Sequence, residues 1–172
     1  MEPFASAFDE RWVWRRPKLW SRRFELRAGD HVLASLETRS WLTGVMHADT
    51  ASGAWTVRHE GLLRGRVLVR AVGATSDALV FRPRWFGAGD VQLASGAVLR
   101  WHRADFWGRR WELVDSGGLP RVTFVRLPAF MSPDAEVKVS EPARNEPLLD
   151  PLVLLGYYLI VLMVRQNTAA IS

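Results

Sequence analysis

Asp150-Pro151-Leu152-Val153-Leu154-Leu155-Gly156-Tyr157-Tyr158-Leu159-Ile160-Val161-Leu162-Met163-Val164-Arg165 is the stretch on which the fold turns. Thirteen uncharged residues stand between Pro151 and Arg165, so a helix formed here is apolar on every side. A helix lying on the surface of a globular domain keeps a polar face. One without such a face is enclosed either by protein or by lipid.

Length and flanks separate the two. A bilayer core needs about 20 consecutive apolar residues, whereas a run of about 10 to 14 suits a buried core helix. Asp150 suits the N-cap, Pro151 suits the first turn, and Arg165 meets the negative end of the dipole, which predicts a helix over about 151–165. Extending it upstream would place Glu146 and Asp150 in lipid. The flanks also lack a positive-inside pattern, with one Arg after the run and Glu141, Arg144, Glu146 and Asp150 before it. The segment is expected to be a core helix, and a tail anchor is the competing reading.

Working outward, the 172 residues, 48% apolar and 24% charged, fit one globular domain with a sizeable core. Met1 to Glu10 has neither a basic n-region nor an apolar h-region, so no secretion signal is expected there. The absence of cysteine excludes disulfides and thiolate metal sites and agrees with a reducing cytoplasm. The formal charge of +5 rests on Arg far more than Lys and suits anionic partners.

From Phe24 to Val139 the chain reads as short β-rich runs broken by Gly, Asp, Ser and Pro. The expected strands are Phe24 to Arg27, His31 to Leu36, Thr43 to His47, Trp55 to His59, Arg66 to Ala71, Ala78 to Arg82, Val91 to Ala94, Ala97 to His102, Arg110 to Val114, Arg121 to Leu127 and Glu136 to Val139. A weak recurrence supports hairpins. Phe24-Glu25-Leu26 leads to Gly29, Trp55-Thr56-Val57 to Gly61, and Trp111-Glu112-Leu113 to Gly117. In each, two apolar side chains share a strand face ahead of a glycine turn. Ala51-Ser52-Gly53-Ala54 and Ala94-Ser95-Gly96-Ala97 also read as turns. Many short strands followed by one wholly apolar helix suggest an antiparallel sheet closed around that helix, which buries its whole circumference and leaves no sheet edge.

The order of elements, the Trp111-x-Leu113-x-Asp115-x-x-Gly118 hairpin and the terminal Asp150-Pro151 with its apolar helix resemble the tubby C-terminal-like superfamily, which includes LURP-one-related proteins and phospholipid scramblases. The similarity spans roughly Phe24 to Arg165. It implies a closed antiparallel barrel of about twelve strands around a hydrophobic C-terminal central helix, and association with membranes through surface basic residues. The chain has no lysine-containing phosphoinositide cluster of the tubby kind, and neither the cysteine-rich segment nor the acidic calcium loop of the scramblase kind. No family binding residue carries over by position.

Two clusters interleave basic and aromatic residues. Residues 1–23 are expected as a basic aromatic arm, in which Arg11, Trp12, Trp14, Arg15, Arg16, Lys18, Trp20, Arg22 and Arg23 stand without an acid after Glu10. Tryptophan favours the membrane interface, and each Lys or Arg near an anionic surface adds about 1 kcal/mol. The same composition can stack bases and track phosphates, and it also fits tryptophans packed on a barrel with solvated arginines. The second cluster holds Arg82, Arg84, Trp85 and Phe86, followed by Arg100 to Trp111 with a loop at Ala104 to Arg109. Phe106 and Trp107 at the tip of that loop, beside Arg109 and Arg110, suit interfacial insertion. The anionic-ligand candidates are therefore Arg11, Trp12, Trp14, Arg15, Arg16, Lys18, Arg82, Arg84, Trp107, Arg109 and Arg110.

Catalytic signals are thin. His31, His47, His59 and His102 form no metal-ligand spacing, no G-x-S-x-G elbow is present, and Gly87-Ala88-Gly89 and Gly117-Gly118 lack the Lys-Ser/Thr of a phosphate loop. Asp105, Glu112 and Asp115 are the carboxylates nearest the second cluster. The sequence leads to a cytoplasmic, non-enzymatic binding or scaffold module without cofactor or metal, peripheral to anionic phospholipid. An acidic protein partner is the alternative, and nucleic acid the third. Removal of residues 150–172 is expected to leave an insoluble or unfolded chain in a solubility and circular-dichroism assay. Burying each of those apolar side chains contributes roughly 1.5 to 3 kcal/mol, and their sum exceeds the net stability of a domain.

Overall fold

The computed structural model describes residues 1–18, 20–38, 44–61, 65–128 and 132–169. Twelve antiparallel strands form one closed barrel: β1 (Trp12–Arg15), β2 (Arg23–Ala28), β3 (His31–Thr38), β4 (Val45–Thr50), β5 (Gly53–Glu60), β6 (Arg66–Ala71), β7 (Leu79–Pro83), β8 (Gly89–Leu93), β9 (Val98–Arg103), β10 (Arg110–Val114), β11 (Pro120–Arg126) and β12 (Ala135–Val139). Each strand pairs with its neighbours in sequence, and β1 closes the ring against β12. The C-terminal helix α1 spans Leu149–Ala169.

All eleven expected strands occur, as β2 to β12, though Thr43 of the third lies outside the described residues. The basic arm is corrected, because its Trp12-Val13-Trp14-Arg15 segment is a wall strand. Parity requires it: in a meander of antiparallel neighbours, an odd number of strands would bring first and last together parallel. The twelfth strand lets the ring close with antiparallel hydrogen bonds throughout, Trp14 standing between Leu26 on β2 and Ala135 on β12.

Side chains alternate across the wall. Phe24, Leu26 and Ala28 of β2, Met46 and Ala48 of β4, and Leu99 and Trp101 of β9 are buried, while their neighbours Glu25, Arg27, Arg100 and His102 face outward. The inward set meets α1. Ten successive helix residues, Leu152 to Val161, are buried, and at 100° per residue they sample every direction around the axis. They share one core cluster with residues of all twelve strands, so the helix occupies the interior of the barrel. Trp14 stacks on Tyr157 with ring centroids 4.3 Å apart, and Phe24 meets the same ring edge-on at 5.5 Å.

The helix is longer at both ends than the expected 151–165. It begins at Leu149, and Asp150 lies in its first turn, where it accepts a hydrogen bond from Ser52 Oγ at 2.5 Å instead of acting as the N-cap. A carboxylate in the first turn still favours the positive end of the dipole. Beyond Arg165 no glycine or proline interrupts the chain, and the helix continues into solvent as Gln166, Asn167, Thr168 and Ala169. By length and composition it is long and apolar enough to cross a membrane, but 72% of its apolar window is buried within the protein.

Gly156 shows how closely the helix fits. A Cβ at this position would stand 2.3 Å from the Phe124 ring. Gly156→Ala gains about 1 kcal/mol of helix propensity, yet overpacking of a filled core costs about 1–3 kcal/mol. The expected result is a lower Tm for Gly156→Ala by calorimetry and recovery of much of the loss in Gly156→Ala with Phe124→Leu.

Candidate functional site

Strand alternation sorts the connections to two ends. The helix enters beside the β4–β5 turn, where Ser52 meets Asp150. The entry end therefore holds the β2–β3, β4–β5, β6–β7, β8–β9 and β10–β11 turns, together with the N-terminal segment. There Phe4 and Phe8 pack on Trp12, whose Nε1 donates to the Ala7 carbonyl at 2.7 Å. The exit end, where α1 leaves, holds the β1–β2, β3–β4, β5–β6, β7–β8, β9–β10 and β11–β12 connections. The tips of three of these, residues 39–43, 62–64 and 129–131, lie outside the described residues.

The two ends differ in chemistry. Entry turns such as Gly29-Asp30, Ala51-Ser52 and Ser95-Gly96 are small and polar, and the large apolar side chains exposed in these connections, Val72 and Leu119, are aliphatic. At the exit end Trp20 (84% exposed), Trp85 (69%), Phe86 (96%), Phe106 (83%) and Trp107 (80%) stand in solvent. Among the described residues these are the aromatic side chains with large exposure, and they occupy the β1–β2, β7–β8 and β9–β10 connections. Phe86 also has φ +56°, a left-handed backbone that a bulky side chain rarely adopts. Its ring makes no core contact that would offset the strain, which is the pattern expected where a side chain is kept for binding.

Charge follows the same division. The exit-end connections and the end of α1 carry Arg16, Lys18, Arg22, Arg84, Arg109 and Arg165 against Asp105 and Asp134, among the described residues. At the entry end, Glu2, Asp9, Glu10, Asp30, Asp77, Asp115, Glu141 and Glu146 stand against Arg11 and Arg144. The molecule is thus polarised along the barrel axis, basic and aromatic at one end and acidic at the other.

The sequence candidates divide accordingly. Arg15, Arg16, Lys18, Arg84, Trp107 and Arg109 meet at the exit end, Arg84 being paired with Asp90 at 2.6 Å. Arg82 and Arg110 stand on the outer wall near that end. Arg82 lies opposite Asp90 in the β7–β8 register, and Arg110 is paired with Glu112 at 2.8 Å. Three candidates are corrected. Trp12 and Trp14 are buried in the core because their strand completes the barrel, and Arg11 lies at the entry end, bound to Glu136 at 2.8 Å. Phe106, flagged as a loop tip, is exposed as expected. Trp20, Arg22, Trp85, Phe86 and Arg165 belong to the same rim but were not among the candidates. The signal for them is the contrast between alternate connections, with Trp and Phe in one set and none in the other.

The carboxylates near the second cluster serve structure. Asp105 Oδ1 accepts the amides of Arg109 and Arg110 at 2.9 and 3.0 Å, and Asp115 Oδ1 accepts those of Gly117 and Leu119, both at 3.0 Å. Glu112 is held by Arg110 and lies 3.6 Å from His102 on the outer wall. Among the described residues no group of His, Cys, Asp and Glu is arranged to hold a metal ion. Inside the barrel, burial pushes the Tyr157 phenol well above its ordinary pKa, with Asp134 adding to the rise and Arg16 opposing it. Tyr158 is raised by burial and lowered in part by Arg165. No protein-family model, curated protein or solved structure matches the chain.

Proposed function

We propose that the protein is a non-enzymatic module that sets its exit end on an anionic phospholipid surface, with the barrel axis upright. The observation that carries this is the confinement of the exposed aromatics Trp20, Trp85, Phe86, Phe106 and Trp107 to the end that also concentrates basic charge. Aromatic rings partition to the membrane interface, and each basic residue near an anionic leaflet adds about 1 kcal/mol. The acidic entry end is repelled by the same surface, so the field of the molecule orients its approach.

Twelve strands around a central helix are also what membership of the tubby-like superfamily implies, and that membership is part of the proposal. The lipid reading stands on the rim, since one fold hosts many functions. It places the protein in the cytoplasm, at a leaflet whose anionic lipids supply the attraction.

Flotation of the intact protein with neutral phosphatidylcholine vesicles and with phosphatidylserine-containing vesicles tests this. Binding to the anionic vesicles alone, with release at high salt, is the expected result. Phe106→Ser with Trp107→Ser is expected to weaken binding about tenfold or more, the equivalent of about 1.4 kcal/mol. Arg11→Gln, at the entry end, is expected to bind as the parent does. Phe86→Gly separates function from folding: it weakens binding while leaving stability within about 1 kcal/mol, because relief of the left-handed strain offsets the added chain entropy. Salt-resistant binding to both vesicle types would favour a tail anchor. Binding to neither would remove lipid and leave an acidic protein partner in front.

A further inference from the structure

At the exit end, a recess of about 230 Å³ opens between the β1–β2 connection, the end of β3 and the last turns of α1. Arg16, Arg22 and Arg165 line it together with Ser21, Thr38 and Trp20, and among the described residues no acidic one does. We infer that this recess binds a phosphomonoester group. The inference rests on the lipid reading only for the source of the phosphate, which is either the headgroup of phosphatidic acid or a small soluble phosphate ester.

Three arginines lining one small space match a compact dianion with several acceptor oxygens. A phosphomonoester carries a charge of about −1.5 to −2 at pH 7 and three terminal oxygens, each able to accept from an arginine fork. The phosphodiester of phosphatidylserine or phosphatidylglycerol carries a single charge and is flanked on both sides by ester carbon, so it satisfies fewer of these donors.

The site is built in advance. The Ser21 amide donates to the Lys18 carbonyl at 2.9 Å, the Arg23 amide donates to Ser21 Oγ at 3.1 Å, and the Thr38 amide donates to the Arg22 carbonyl at 3.0 Å. The last of these ties the β1–β2 connection to β3, and the other two brace it locally. The Arg16 guanidinium lies 5.0 Å from the centroid of the Phe24 ring, a cation–π contact that fixes its direction. Arg22 makes no ion pair among the described residues. Thr38, 6% exposed, lines the recess from the end of β3. Trp20, exposed beside the recess, places it at the depth where a lipid phosphate sits.

The test combines two measurements on the intact chain. Flotation compares vesicles containing phosphatidic acid with vesicles containing phosphatidylserine at matched surface charge, and amide chemical shifts are followed during titration with glycerol 3-phosphate and with inorganic phosphate. The expected result is tighter binding to phosphatidic acid and shifts centred on Ser21, Arg22 and Thr38. Arg22→Gln is expected to lose about tenfold of phosphatidic acid affinity while losing far less for phosphatidylserine.

Localised shifts with glycerol 3-phosphate but no binding to vesicles would uphold the site with a soluble ligand and sink the lipid reading. Equal binding to the two anionic vesicles, without localised shifts, would overturn the site and leave the rim as a nonspecific lipid surface. Neither binding nor shifts would overturn both.

Discussion

Everything in this molecule depends on the enclosure of a helix that has no polar face. Leu152 to Val161 are buried at every position, and a helix apolar all round is stable in water only if a wall surrounds it completely. An open sheet could cover one side of it and would leave two unpaired edges. A closed ring covers all sides and has no edge. The same constraint fixes the place of Trp12–Arg15, since without that strand the meander has no antiparallel closure. It also fixes Gly156, where the ring of Phe124 takes the space of a side chain.

The helix fills most of the barrel, leaving a recess of about 300 Å³ where Val67 and Phe81 of the wall face Leu159 and Met163 of α1, and the outer wall is tied up in local pairs such as Arg70 with Asp77 and Arg110 with Glu112. Recognition is left to the ends. The entry end is closed by Phe4 and Phe8 packed over Trp12 and by short turns, and its charge is acidic. The exit end has longer connections, bears exposed rings on three of them, and holds Phe86 in a strained backbone. Under the proposed function, the common position of those rings suits a partner that is flat, partly apolar and negatively charged, such as an anionic bilayer. The phosphomonoester site proposed at Arg16, Arg22 and Arg165 lies at this same end.

Much of the architecture was legible in the sequence because the decisive signals are local. The uniform hydrophobicity of residues 152–164 defined a central helix, and alternation with glycine turns defined β2 to β12. The strand that closes the ring was missed for a physical reason. Trp12-Val13-Trp14 is short and sits among arginines, and its inward tryptophans read equally well as interfacial anchors until their neighbours are known. The helix ran beyond Arg165 because termination by a favourable charge is weak where no glycine or proline follows. The candidate site was legible in parts: Lys18, Trp107 and Arg109 were found from composition, whereas their gathering with Arg22, Trp20 and Arg165 depends on which connections share an end. Thr38 carried no sequence signal, since its place at the recess exists only in the folded chain.

The absence of native cysteine makes one measurement direct. Spin labels attached singly at Phe106→Cys and Gln166→Cys report on the exit end, and labels at Ser76→Cys and Ser116→Cys report on the entry end. On anionic vesicles, power saturation with oxygen and with a polar relaxant gives the depth of each label. End-on seating of a barrel closed around its helix predicts the Phe106 label in the interface or acyl region, the Gln166 label near the interface, and both entry-end labels in water. Equal depths at the two ends, or a Gln166 label that has crossed to the far side of the bilayer, would contradict it.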